Sequence, residues 1–213
     1  AFVARLARLT PSGQRYALAN QTEGSGYEAP TRWVADVAIR IEPHTPAVQR
    51  SRELAAQALG YSFARFAPAP DFGLKVDLKI DLKADLNVPQ IAFVHGTSRA
   101  DKEWPLAHWI ELGQRLNAAG FQIVLPHGNA QEWTTSQTLA AALTDAVVWP
   151  SLSLDALTRQ LAHCAGVIGV DSGVSHIAVA LDLPHVQIYN FDTAWRTGPD
   201  AAAQRQVSVF AQP

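Results

Sequence analysis

From Pro89 onward the chain alternates short, uninterrupted apolar runs with longer amphipathic stretches, and this alternation constrains the fold more than any other feature. The runs are Ile91–Val94, Phe121–Leu125, Ala146–Trp149, Gly166–Val170 and His185–Tyr189. A strand that is apolar at successive positions, rather than at every second one, is covered on both faces. Between the runs lie candidate helices at Leu106–Ala119, closed by Gly120, at Ala130–Leu143, from Ser153 to about His163, and at Val174–Leu181. Ser153 suits an N-cap, and Asp155 in the following turn complements the positive end of the helix dipole. Strands and helices in this order predict an α/β fold, a Rossmann-like parallel sheet with helices on both faces.

Residues 1–66 lack this rhythm. Phe2–Leu9 predicts a short helix, Gly24–Gly26 with Pro30 a loop, and His44–Leu59 a helix with Pro46 in its first turn and Gly60 as its stop. Ala67-Pro68-Ala69-Pro70 is a stiff linker signal. It divides the chain into a partial N-terminal domain, residues 1–68, and the Rossmann-like domain, residues 69–213. Lys75–Leu86 alternates charged and apolar residues, as an edge strand does. Its leucines at 74, 78, 82 and 86 would equally stripe a helix; the edge strand is the preferred reading.

Composition narrows the function classes. With 17 basic and 19 acidic residues the formal net charge is -2, and no basic run offers a nucleic-acid surface. The single cysteine, Cys164, forms no intramolecular disulfide and makes no cysteine-rich zinc site, which fits a reducing cytosol. No apolar run approaches the roughly 18 residues of a membrane span, and the start has no signal-peptide pattern. Methionine is absent and residue 1 is Ala, so the sequence is expected to be a piece of a longer protein.

Ligands of such sheets sit at the carboxyl ends of the strands. Three loops lie there. After Val94, Gly96 lets backbone approach a ligand, Thr97 and Ser98 bring hydroxyls, and Arg99 and Lys102 bring cations, a set suited to phosphate oxygens or to an ordinary polar loop. After Leu125 comes Glu132, placed either to hold a ribose hydroxyl pair or simply to lie in a solvated first turn. After Val170, Asp171-Ser172-Gly173 runs straight into a helix, and His176 falls in its first turn. A helix start with free amides suits a diphosphate. Capping alone accounts for Asp171 or Ser172, yet has no need of His176. A hydrolase elbow would need glycine two residues either side of Ser172, where Val170 and Val174 stand. Asp171 with His176 makes a weak metal pair, and convergence of His95, His127 and His176 is a minor alternative. Trp104 and Trp109 read as packing residues; Trp149 and Trp195 are candidates to border a base or sugar, with core packing the commoner use.

The loops His95–Pro105 and Leu125–Glu132, with Ser151–Asp155 and Val170–Asp182, resemble the ADP-heptose-dependent lipopolysaccharide heptosyltransferases, at their type I branch. The likeness extends upstream through Arg50–Leu54 to Leu59–Tyr61. The resemblance implies a GT-B glycosyltransferase, of which this chain would be the C-terminal half plus a remnant of the N-terminal domain. It implies inverting transfer of heptose from ADP-heptose to a Kdo residue of lipid A precursor, in lipopolysaccharide core synthesis. It places the protein in the cytoplasm, peripheral on the inner membrane, as a monomer with no cofactor, no metal and no nucleic-acid partner. Thr97, Ser98 and Lys102 would bind the diphosphate, Lys102 offsetting charge on the leaving ADP. Glu132 would hold the ribose, Leu152 would border the adenine, and Asp171, Ser172, Gly173 and His176 would close on the phosphates and heptose. Asp171, being anionic, would do so through its backbone or a sugar hydroxyl.

The family's general base is an aspartate near the start of the N-terminal domain. Nothing here matches that segment, so the catalytic residue is unassigned and the chain is expected to bind nucleotide without transferring heptose. Two further departures are Tyr189-Asn190-Phe191-Asp192, where the family often has Tyr-Gly-Pro-Thr, and the Lys75–Leu86 alternation, which has no counterpart. The alternatives are a type II heptosyltransferase, another GT-B nucleotide-sugar enzyme, or a non-catalytic nucleotide-sugar-binding module.

Overall fold

A computed structural model describes residues 13–24, 34–62, 72–74, 76, 88–199 and 205–211. The chain divides into two units, one of residues 1–68 with Trp195–Thr197, the other of Ala69–Ala194 with Gly198–Pro213. The expected helix at Phe2–Leu9 lies outside the described residues, as does Lys75–Leu86 apart from Val76.

In the first unit, strands β1 (Tyr16–Leu18) and β2 (Val37–Ile39) pair in parallel, Tyr16 opposite Val37. Three residues each are too few to show a period, so neither was legible in the sequence. Helix α1 spans Ala47–Leu59 and ends at Gly60, whose φ of 72° puts it in the left-handed region where glycine is at ease. It starts later than expected because Thr45 precedes a proline and is barred from helical angles, leaving Pro46 as the N-cap. Trp195, a candidate base or sugar neighbour, instead stacks on His44 with centroids 3.8 Å apart.

The second unit is the expected doubly wound fold. Its strands are β3 (Gln90–Val94), β4 (Gln122–Leu125), β5 (Ala146–Val148), β6 (Gly166–Val170), β7 (His185–Tyr189) and β8 (Gln206–Phe210). They form one sheet in the order β5-β4-β3-β6-β7-β8, every pair parallel. The intervening helices are α2 (Leu106–Ala118), α3 (Ala130–Ala142), α4 (Leu154–Leu161) and α5 (Gly173–Ala180); the last three residues of the short α6 (Ala194–Thr197) belong to the first unit. Alternate residues of β3 and β4 face opposite ways. Ile91, Phe93, Ile123 and Leu125 pack under Trp109 of α2 and Leu139 of α3. Ala92, Val94 and Val124 pack with Leu161 of α4 and Ala178 of α5. Continuous apolar strands thus feed two cores, one on each face.

Strand β8 went unforeseen because it does not carry that signature. Gln206-Val-Ser-Val-Phe210 alternates and lies at the sheet edge with Val207 and Phe210 exposed. Trp149 falls one residue beyond β5 and is buried in the second core, so it does not border a ligand. Cys164 is buried in the same core, where desolvation pushes its thiol pKa up to about 12. Among the described residues no helix is long and apolar enough to cross a membrane.

His185 introduces a pH dependence. Both its ring nitrogens are buried without a hydrogen-bond partner. Burial, with a smaller push from His176, lowers its pKa from 6.5 to about 4. Between those values the unfolded chain binds the extra proton and the folded one does not, so stability is full above about pH 6.5 and falls as acid is added. Complete protonation removes about 3 kcal/mol. The melting temperature is expected to hold near neutrality and drop between pH 6.5 and 4, and His185→Gln to flatten that segment. An unchanged slope in the variant would assign the effect to another group.

Candidate functional site

The switch in strand order falls between β3 and β6, the chain leaving in opposite directions from the two central strands. Their carboxyl ends therefore open a crevice, and it is walled by two of the loops singled out above. Val94 lies opposite Gly169 in the register, which brings the loop after β3 against the β6–α5 turn. Two contacts join them. Thr97 Oγ1 donates to the Asp171 carbonyl oxygen at 3.1 Å, and Lys102 Nζ donates to Asp171 Oδ2 at 2.6 Å.

Lys102 closes a single 3-10 turn, Ala100–Lys102. Asn190, just past β7, supports that turn: its amide donates to the carbonyls of Asp101 at 3.1 Å and Glu103 at 2.8 Å. Arg99, on the same loop, is exposed and its guanidinium pairs with Asp101 two residues on. Ser98 is exposed on the same loop.

At the β6–α5 turn, Ser172 is the N-cap, its hydroxyl accepting from the Ser175 amide at 3.4 Å. Ser175 is fully buried and donates to the Val170 carbonyl at 2.6 Å, tying the helix start to the strand end. In the first turn the amides of Gly173 and Val174 have no helical acceptor of their own. A Cβ on Gly173 would meet nothing within 4 Å, so that backbone is open to approach. His176 Nε2 stands 3.6 Å from Asp171 Oδ1. The carboxyl of Asp171 is held down to about 2, first by the neighbouring His176 ring, against burial, and then by Lys102. Asp171 was expected to reach the ligand by its backbone or a sugar hydroxyl. In this structure its carbonyl accepts from Thr97, and its carboxylate meets Lys102 and His176.

Glu132 is fixed before any ligand arrives. Its Oε2 accepts from the Gly128 amide at 2.6 Å and its Oε1 from Asn129 Nδ2 at 2.8 Å, while Asn129 Oδ1 caps α3 by accepting from the Glu132 amide at 2.9 Å. The arrangement is an asparagine N-cap whose partner glutamate reaches back to the residue before the cap. The carboxylate lies across Gly96, where a Cβ would come within 2.5 Å of Glu132 Cδ. Gly96 is therefore needed to seat a side chain, not only to admit a ligand. Asn129 was missed, although an Asn three residues before a Glu at a helix start is a readable signal. A cavity of about 470 Å³ opens here, lined by Gly96, Thr97, Trp104, Asn129 and Glu132 among others. Thr97 is the joint between this cavity and the Lys102–Asp171 cluster; Lys102, Asp171 and His176 do not line it. Leu152 is half-buried against the second core, past the end of β5.

The three histidines do not converge on a metal. His95 is buried and its Nε2 bonds to Ser136 Oγ at 2.8 Å, and among the described residues no group of three His, Cys, Asp or Glu side chains is placed to hold an ion. Trp104 packs edge-on against buried Trp109, as expected.

The family model described as glycosyltransferase family 9 (heptosyltransferase) matches residues 3–213. Lipopolysaccharide heptosyltransferase 1 of Pseudomonas aeruginosa is 37% identical over 158 residues, covering 74% of this chain and 43% of its own length. The protein of the same name from Escherichia coli K12 is 36% identical over 148 residues, covering 67% of this chain and 44% of its own. The chain thus spans less than half the length of these relatives. The solved structure of E. coli heptosyltransferase WaaC with ADP aligns with a TM-score of 0.77 at 28% identity, over 98% of this chain and 63% of that one. E. coli ADP-heptose heptosyltransferase II shares the fold, with a TM-score of 0.71 at 22% identity over 98% of this chain and 71% of that one. The type I likeness read from the strand-end loops and the family match over nearly every residue agree: this chain belongs to glycosyltransferase family 9, the heptosyltransferases.

Proposed function

We propose that this chain is the donor-binding half of an inverting heptosyltransferase that takes heptose from ADP-heptose in lipopolysaccharide core assembly, with Kdo on lipid A precursor as acceptor. The observation that carries the reading is the linkage of Thr97 and Lys102 to the open start of α5 at the sheet's switch point. Thr97, Ser98 and Lys102 meet the diphosphate, with Ser172, Gly173 and His176 on its other side. Glu132, preset by Gly128 and Asn129, accepts from the ribose hydroxyls, and Leu152 borders the adenine. When a glycosidic bond to ADP breaks, negative charge grows on the leaving phosphate. An ammonium and unpaired helix amides there stabilise that charge more than the ground state. The general base is assigned to no residue of this chain, so nucleotide binding without heptose transfer is the expected behaviour. The protein is read as a cytoplasmic monomer, peripheral at the inner membrane where its acceptor lies.

Lys102→Ala is expected to weaken ADP about tenfold to thirtyfold, the worth of one charge-assisted contact, with little change for adenosine. Calorimetric titration of ADP, ADP-heptose and adenosine measures this. Absence of binding by ADP and ADP-heptose alike would remove the reading, and robust transfer by this chain alone would show that the base lies within it.

A further inference from the structure

We propose that Asp171 is a positioning residue: it holds the Lys102 ammonium and orients His176 beside the start of α5, and acts on a bound diphosphate through them rather than by touching it. The inference rests on the donor-site reading above.

Charge argues against direct contact. A carboxylate beside a diphosphate repels it at every distance, and Asp171 stays ionised throughout the working pH range because His176 and Lys102 favour its charged form. Yet the side chain is 9% exposed and that of Lys102 23%, so this is no loose surface pair. The geometry assigns the carboxylate a different task. Lysine carries its charge on a flexible four-carbon stem, and holding that stem in one place before a ligand arrives removes an ordering cost from binding. A lysine ammonium has three donors. One is spent on Asp171 at 2.6 Å, and two remain for phosphate oxygens. The same residue also fixes Thr97, whose hydroxyl bonds its carbonyl at 3.1 Å. Its side chain therefore sets the cation and its main chain sets the hydroxyl. His176, at 3.6 Å from the other carboxylate oxygen, is steered from the same point.

A double-mutant cycle on ADP binding tests this, with adenosine as a control and a melting curve for each variant. Asp171→Asn keeps shape and removes charge. It is expected to weaken ADP about tenfold in the wild-type background and at most about threefold beside Lys102→Ala, and to leave adenosine within about twofold. Asp171→Glu, which keeps the charge, should restore part of the loss. Equal losses in the two backgrounds would mean that Asp171 touches the ligand itself, and would overturn the proposal. So would a matching loss of adenosine affinity, which marks general damage to the site. If the wild-type protein does not bind ADP, the functional reading and this inference fall together; additive losses in a protein that does bind ADP overturn this inference alone.

Discussion

Gly169→Ala is expected to lower the melting temperature by about 10 °C, the largest stability effect of any substitution considered. A Cβ there would lie 2.4 Å from Ser175 Oγ, 2.9 Å from Val94 Cβ and 3.3 Å from the Val94 carbonyl oxygen. None of these can yield cheaply. Val94 is paired with Gly169 in the sheet register, and Ser175 is buried and hydrogen-bonded to Val170. The helix α5 must lift from the sheet, at an overpacking cost of about 3 kcal/mol. Because the same helix start forms one wall of the donor site, ADP affinity should fall with stability. Gly173→Ala is the control: it meets nothing within 4 Å and should leave the melting temperature within about 2 °C of wild type. A Gly169→Ala protein that melts normally would show that the strand and helix can separate without strain.

Gly96→Ala should behave in the opposite way, losing ADP affinity by about a hundredfold while the melting temperature stays within about 2 °C. The clash at 2.5 Å is with Glu132 Cδ, the far end of a flexible side chain. Glu132 can swing away at small cost to folding. In doing so it leaves the Gly128 amide and the Asn129 side chain that hold it, and the ribose diol loses a preset carboxylate. Two charge-assisted hydrogen bonds are at stake, about 3 kcal/mol together. Adenosine should suffer as much as ADP, because the loss lies at the ribose. That separates this variant from Lys102→Ala, in which ADP alone is affected. Retention of full nucleoside affinity in Gly96→Ala would detach Glu132 from the ribose.

The parts of the fold that were legible in the sequence are those whose environment is uniform along the element. Ile91–Val94 and Gly166–Val170 are covered on both faces, so all their residues but the half-buried Ile168 are buried. Strand β8 alternates at a sheet edge and so lacks the continuous apolar run that marks the others, while β1 and β2, with three residues each, are too short to show a period. In the site, the loop positions followed from strand ends alone, and Thr97, Lys102 and Asp171 do meet. Their pairing was not legible. A cation and an anion 69 residues apart in sequence become partners only through the register of β3 against β6. Asn129 was overlooked for a different reason: capping is local and could be read, but its hold on the Glu132 side chain depends on where Gly96 lies.

The buried thiol has a practical side. Cys164 is the single cysteine of the chain and sits in the core with its proton held tightly. A maleimide or thiosulfonate nitroxide reagent is attacked by thiolate, and Cys164 offers none accessible in the native protein. Any cysteine introduced at an exposed point, such as Ser98→Cys on the loop that carries Lys102, becomes the only reactive one. The chain is in this respect already a clean background for spectroscopy, ready to report in real time how the donor loop responds to a nucleotide.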